Sequence, residues 1–256
     1  MNRAWLWVLG AGITLFLVTD KIVQNSSNSS FLPIVIILGA MIVPVAFVTY
    51  FYEHIRDRDI SRIFLGICFL IGGGIGVGAA AIVEYSTLKT LDPGSLVVVG
   101  LIEESAKMIV PLATFVIWRF RHEADGLILG VAVGMGFAAL ETMGYGFSTL
   151  AQNNNSIAAL NQVLLIRGLL SPAGHAAWTG IICATLWRER ELAGQWVINW
   201  KIIGIFALAV ALHATWDIVN TQNSDIVAYA GMLIVAIISL GTLISLYREA
   251  RTRLIS

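Results

Sequence analysis

Glu103-Glu104-Ser105-Ala106-Lys107 puts three ionisable side chains inside the otherwise apolar stretch from Val97 to Pro111. On a helix, Glu103 and Lys107 are four apart and Glu104 and Lys107 three apart. One ammonium therefore reaches either carboxylate, with Glu on the favoured N-terminal side of Lys. Glu141, His175 and the pair His213 and Asp217, four residues apart, stand in other apolar stretches of the chain. A charge near the middle of a bilayer-spanning helix costs about 2.5 to 3.5 kcal/mol on insertion scales, so such groups need partners inside the protein and mark function. Carboxylates beside imidazoles can deprotonate water, polarise a carbonyl or hold a divalent cation. A single neutralised pair could merely tie two helices together. Polar groups on four separate apolar segments point instead to one shared site.

The elements that must carry these groups are membrane helices. Of 256 residues, 57% are hydrophobic and only 12% charged, with a mean hydropathy of +0.81, too apolar for a water-soluble domain of this size. The formal net charge is zero and no basic block occurs, so nucleic acid has no electrostatic footprint here. Cys68 and Cys183 lie in apolar stretches and read as packing residues. Arg3 and the apolar run to Thr19 lack a small-x-small cleavage signal before Asp20-Lys21, so this run is expected to be a first span and not a cleaved leader. A crossing helix needs about 20 mostly apolar residues. Stretches of that kind lie at about 4–22, 32–52, 62–83, 96–118, 125–149, 164–187, 201–221 and 226–247.

Loop charges test that assignment. With both ends cytoplasmic, the inside receives Arg3, Arg56, Arg58, Arg62, Arg119, Arg121, Arg188, Arg190, Lys201, Arg248, Arg251 and Arg253. The outside receives only Lys21 and Lys89. Such an asymmetry follows the positive-inside rule. The expected fold is an all-α polytopic membrane protein of about eight transmembrane helices, both termini cytoplasmic, forming one domain over residues 1–256. Its catalytic core would span about 95–221, with peripheral helices at about 4–83 and 226–247. The tripeptides at Asn25-Ser26-Ser27 and Asn28-Ser29-Ser30 fit a glycosylation pattern that is common by chance.

Glycines refine the picture. Gly72-Gly73-Gly74, Gly76 and Gly78 are expected to allow close helix approach or local flexibility, and Gly126, Gly130 and Gly134 repeat every four residues as a small packing face. Glu141 lies seven beyond Gly134, hence on nearly that face, pointing into the bundle. Ser171-Pro172-Ala173-Gly174 predicts a break in the sixth span just before His175. Arg167 is expected to snorkel to the outer surface. At 1.5 Å rise per residue, Glu103, Glu104, Glu141, His175, His213 and Asp217 fall roughly 6 to 15 Å from the outer ends of their helices, which is one layer. His54 and His122 stand in charged loops, and His122-Glu123-Ala124-Asp125 lacks the second histidine of the zinc-protease helix motif.

Glu-Glu-x-x-Lys at 103 to 107, Phe137-x-x-x-Glu141 after Gly134-Met135-Gly136, His175, and His213-x-x-x-Asp217 resemble the motif set of the PrsW family of intramembrane proteases. That family is related to the type II CAAX-processing and bacteriocin-processing membrane proteases. The resemblance covers about residues 95 to 220. It implies cleavage of membrane-anchored proteins, such as anti-sigma factors, towards their extracytoplasmic side. With no eukaryotic targeting signal in the sequence, a bacterial or archaeal plasma membrane is expected. Related CAAX-processing enzymes carry His where this chain has Glu141, and Arg where it has Lys107.

Peptide hydrolysis needs an activated water, an oxyanion stabiliser and an acid for the leaving amine. Two arrangements fit. In the first, Glu141, His175 and His213 bind Zn2+, Glu103 or Glu104 is the base and Asp217 orients His213. In the second, which needs no metal, Glu103 and Glu141 hold and deprotonate the water while His175 and His213 polarise the carbonyl. Four carboxylates against one lysine leave the layer acidic, and zinc is the simpler remedy. Lys107 limits repulsion between the two glutamates in both. Ser171 with His175 as a serine nucleophile would leave the carboxylates unexplained. The readings from other classes are a proton- or cation-coupled transporter, which predicts a central site and internal repeats, and a non-catalytic membrane scaffold.

Overall fold

The computed structural model describes residues 3–26, 28–55, 59–88, 93–117 and 120–252, and among these there are helices and turns but no strand. Arg56, Arg58, Lys89, Arg119 and Arg253, which entered the loop assignments above, and Ser27 of the first glycosylation tripeptide lie outside the described residues. The helices are α1 (Ala4–Ser26), α2 (Leu32–His54), α3 (Arg62–Ile67), α4 (Gly73–Thr87), α5 (Pro93–Lys107), α6 (Ile109–Val116), α7 (Glu123–Gln152), α8 (Ile157–Leu170), α9 (His175–Ala193), α10 (Trp200–Asn220) and α11 (Asp225–Thr252). Joined end to end where they are collinear in sequence, they make the eight expected rods, and the chain is an integral membrane protein.

Seven rods are long and apolar enough to cross a bilayer, among them Arg62–Thr87, Glu123–Gln152 and Ile157–Ala193. The eighth, expected at about 96–118, is the charged one, and it is broken at Met108 into α5 and α6. Pro111 explains the break. It has no N–H for the carbonyl of Lys107 four residues earlier, and its ring crowds that carbonyl. Helix α5 consequently ends on Lys107, whose ammonium sits at the negative end of the helix dipole. The sixth rod breaks where expected: Ser171–Ala173 forms a 3₁₀ turn, and Gly174 caps α9 with φ −100° and ψ −115°.

Helix α7 is the spine, buried on nearly every side and packed most extensively on α9. The four-residue glycine repeat makes this possible. A Cβ on Gly126, Gly130 or Gly134 would strike the carbonyl oxygens of Cys183, Thr179 and His175, themselves spaced by four. The spine also receives α4 closely, where a Cβ on Gly73 would meet the backbone of Gly136 and Phe137. A π-helical turn at Cys68–Gly72 precedes that contact. By contrast, Gly78 has open space around it. Helix α1 is mostly exposed and packs on α2, whereas α10 rests on α5, α9 and α11.

Candidate active site

Each chemical group sits at the start, end or tightest crossing of its helix. Lys107 and the two glutamates end α5; His175 begins α9; Glu141 follows the glycine face of α7. His213 approaches α5 where Gly100 leaves room, since a Cβ there would lie 3.2 Å from the Val210 carbonyl and 3.5 Å from His213 Cβ. The backbone thus brings four helices together before any side chain bonds form.

Lys107 is the hub. Its side chain is wholly buried, and Nζ donates to Glu104 Oε1 at 2.7 Å, to Glu103 Oε2 at 3.3 Å and to His175 Nδ1 at 2.7 Å. Its ammonium also lies 4.1 Å from the centre of the Phe137 ring, a cation–π contact. An ammonium has no acceptor, so His175 Nδ1 must carry the lone pair and Nε2 the hydrogen. That N–H faces Glu141 Oε2 at 3.0 Å. On the far side, His213 Nδ1 donates to Glu104 Oε1 at 2.8 Å, and its Nε2 lies 3.5 Å from both Glu103 Oε2 and Asp217 Oδ2. All seven residues singled out from the sequence therefore join one network.

Differences between its members are informative. Glu104 is fully buried and stays outside the cavity lining, whereas Glu103, Glu141, His175, His213 and Asp217 line a cavity of about 830 Å³. That cavity reaches Glu84, Thr149 and Asn220, near the C-terminal ends of α4, α7 and α10. Glu103, His175 and His213 each offer one atom that could ligate a metal, and these atoms lie within 4.8 Å of one another. Glu141, expected beside the histidines in a zinc site, instead bonds His175 and Arg167.

Arg167 departs from its expected place at the surface. Nη2 donates to Glu141 Oε2 at 2.6 Å, Nε donates to Thr142 Oγ1 at 3.3 Å, and the guanidinium lies 3.9 Å from the Tyr145 ring centre. A carboxylate in this layer without a cation would be costly, which outweighs the gain from snorkelling. Trp178 is another group that sequence patterning does not single out. It stacks on His213 at 4.6 Å and donates from Nε1 to Ser239 of α11 at 2.9 Å. The last helix, expected to be peripheral, thus braces an imidazole of this layer. Glu84 adds a further carboxylate to the cavity wall, and its buried Oε1 has no hydrogen-bond partner among the described residues. Its spacing of four from Ala80 and eight from Gly76, both buried, is the signal that could have placed it inward.

A ligating imidazole normally gives its second N–H to an acceptor. His213 meets that condition through Glu104; His175 does not, because one nitrogen faces an ammonium and the other a carboxylate. With Lys107 in this position, Glu103, His175 and His213 do not fit a zinc ion.

Comparison with known proteins shows a family. The model of the family described as PrsW family intramembrane metalloprotease matches residues 61–242. Protease PrsW of Bacillus subtilis (strain 168) is 26% identical over 201 residues, which cover 75% of this chain and 86% of that protein. No solved structure matches the chain.

Proposed function

The chain belongs to the PrsW family of intramembrane metalloproteases, and we propose that it hydrolyses a peptide bond of single-span, membrane-anchored proteins with a glutamate-activated water. One observation carries the reading: Glu103, His175 and His213 converge within 4.8 Å on the wall of a cavity large enough for a few residues of unwound substrate. A water among these three atoms has a carboxylate to take its proton and imidazoles on either side.

Glu103 is the base, because it lines the cavity while Glu104 does not. As it takes the proton, the water oxygen bonds to the scissile carbonyl carbon and the C=O becomes an oxyanion. His213 acts here as an imidazolium: Nδ1–H donates to Glu104, and Nε2–H, beside the Asp217 carboxylate, donates to that oxygen. Breaking the C–N bond returns the proton from Glu103 to the leaving amine, giving a free acid and amine. Glu141 steadies the water and fixes His175 through Nε2. Glu104 and Lys107 position both histidines from behind.

The family description favours a second reading with zinc on Glu103, His175 and His213. It requires Lys107 to withdraw from His175. With both termini cytoplasmic, as the loop charges predict, the cavity mouth would lie on the extracytoplasmic side, where an anti-sigma factor's juxtamembrane segment would reach it. A transporter would need access from the opposite end too, and there α7 and α9 pack tightly around Trp187 and Arg190.

The test uses purified protein in liposomes and synthetic single-span peptides with a fluorophore and quencher flanking the outer juxtamembrane segment. Cleavage lost in Glu103→Gln and unaffected by chelator is the expected result. Activity that disappears with o-phenanthroline, returns with zinc and tracks about one zinc per chain would overturn the metal-free scheme. No cleavage of any peptide by the wild type would remove the peptidase reading.

A further inference from the structure

Resting on that reading, we propose that Arg167 is a positioning residue of the reaction: it holds Glu141 so that one chosen carboxylate oxygen faces the substrate. Nothing in the sequence motifs requires an arginine here. The geometry does, in three ways.

First, the two oxygens of Glu141 are used unequally. Oε2 receives both Arg167 Nη2 at 2.6 Å and His175 Nε2 at 3.0 Å. Oε1 has no hydrogen-bond partner among the described residues and belongs to a side chain lining the cavity. The carboxylate can rotate only by giving up both bonds. Arg167 therefore selects the oxygen left for the attacking water.

Second, the guanidinium is itself fixed. Its Nε is bonded to Thr142, its face rests on Tyr145, and both belong, like Glu141, to one turn and a half of α7. A planar fork with several donors can meet Glu141 and Thr142 together; a lysine ammonium offers a single point of charge on a flexible stem. Nη1 has no partner among the described residues, so this arginine is not spent on closing the structure.

Third, its helix links it to the histidine. Arg167 lies in the last turn of α8, and only the Ser171–Ala173 turn and Gly174 separate α8 from His175. Two groups on either side of one rigid break thus grip the same oxygen. A shift of that break would move both together, preserving their spacing on Glu141.

The experiment measures kcat and KM on the fluorogenic single-span peptides for Arg167→Met, Arg167→Ala and Arg167→Lys, with Glu141→Gln as reference and thermal unfolding for each. Removing an outer group that orients a reacting one costs about 10- to 100-fold in activity. Arg167→Met should lose that much in kcat with KM little changed and with unfolding near wild type. Lysine should recover part of it, and methylguanidinium added to Arg167→Ala should recover more, which a merely structural role would not allow. If Glu141→Gln is inactive while Arg167→Met turns over like wild type, the assignment of Arg167 falls and the function stands. If the loss in Arg167→Met follows loss of folded protein and nothing rescues it, the assignment also falls. If Glu141→Gln cleaves normally, the role of Glu141 fails, and that of Arg167 with it.

Discussion

Helices α7 and α9 carry buried ions at both of their ends, and the two ends use them differently. At the end away from the cavity, Asp125 is wholly buried and accepts from the backbone N–H groups of Asp59 and His122. Arg190 donates to the carbonyls of Phe115 and Phe120, and Trp187 Nε1 also donates to Phe120 O. These charges satisfy main chain where helices stop and start. At the cavity end, Lys107, Glu104, Glu103, His213, His175, Glu141 and Arg167 bond mainly to one another. Both ends hold fully buried charges, Asp125 at one and Glu104 and Lys107 at the other, so burial alone does not identify chemistry. The kind of partner separates the groups just named: Asp125 and Arg190 bond main chain, whereas the cavity residues bond side chains, among them carboxylates and imidazoles that can exchange a proton.

Substitutions should sort by that rule. The largest effect on turnover is expected from Glu103→Gln, about 10² to 10⁴-fold in kcat, with thermal unfolding in detergent near wild type; a stable, active Glu103→Gln would break the comparison. Glu104→Gln should come next, at about 10- to 100-fold, since it acts through Lys107 and His213; equal losses at Glu103 and Glu104 would blur the distinction between base and support. Arg190→Met should show the reverse pattern. Phe120 O keeps Trp187 as a donor, so the loss falls on the Phe115 carbonyl and costs about 1 to 3 kcal/mol, visible as a lower unfolding midpoint, while the folded fraction cleaves the peptides normally. The smallest effects test packing alone. Gly73→Ala, pressed on Gly136, should cost about 1 to 3 kcal/mol, and Gly78→Ala, with open space around it, should cost nothing measurable.

Several features of this site could be read in advance because they depend on local spacing. Glu103, Glu104 and Lys107 sit three and four apart, and α5 does bring them into contact. The four-residue repeat of Gly126, Gly130 and Gly134 and the break at Pro172 also follow from local rules, and they place Glu141 and His175. What could not be read depends on contacts between distant segments. Arg167 looks like a residue near a helix end until α7 presents Glu141 to it. Trp178 is one apolar residue among many until Ser239 and His213 fix its ring. Glu84 lies just past the apolar stretch at about 62–83 and so escaped notice. The break at Met108 was legible through Pro111, yet the run around it is apolar enough to be taken for an uninterrupted span. The segment His122-Glu123-Ala124-Asp125, set aside as a metal site, caps the start of α7 through Asp125.

The termination of α5 on its charged triplet bears on how the protein is made. Three charges on one short helix amount to roughly 8 to 10 kcal/mol against entering lipid alone, and α5 and α6 are also the rod missing from the self-sufficient spans. During synthesis this rod cannot be released into the bilayer until α7 and the later helices supply His175 and His213 as partners. The groups proposed to carry the chemistry would therefore also set an order of assembly, with their layer closing last. Chains truncated after α6 should leave this rod outside the membrane in a glycosylation-mapping assay, and stable insertion of such a truncated chain would show that the charges find partners earlier.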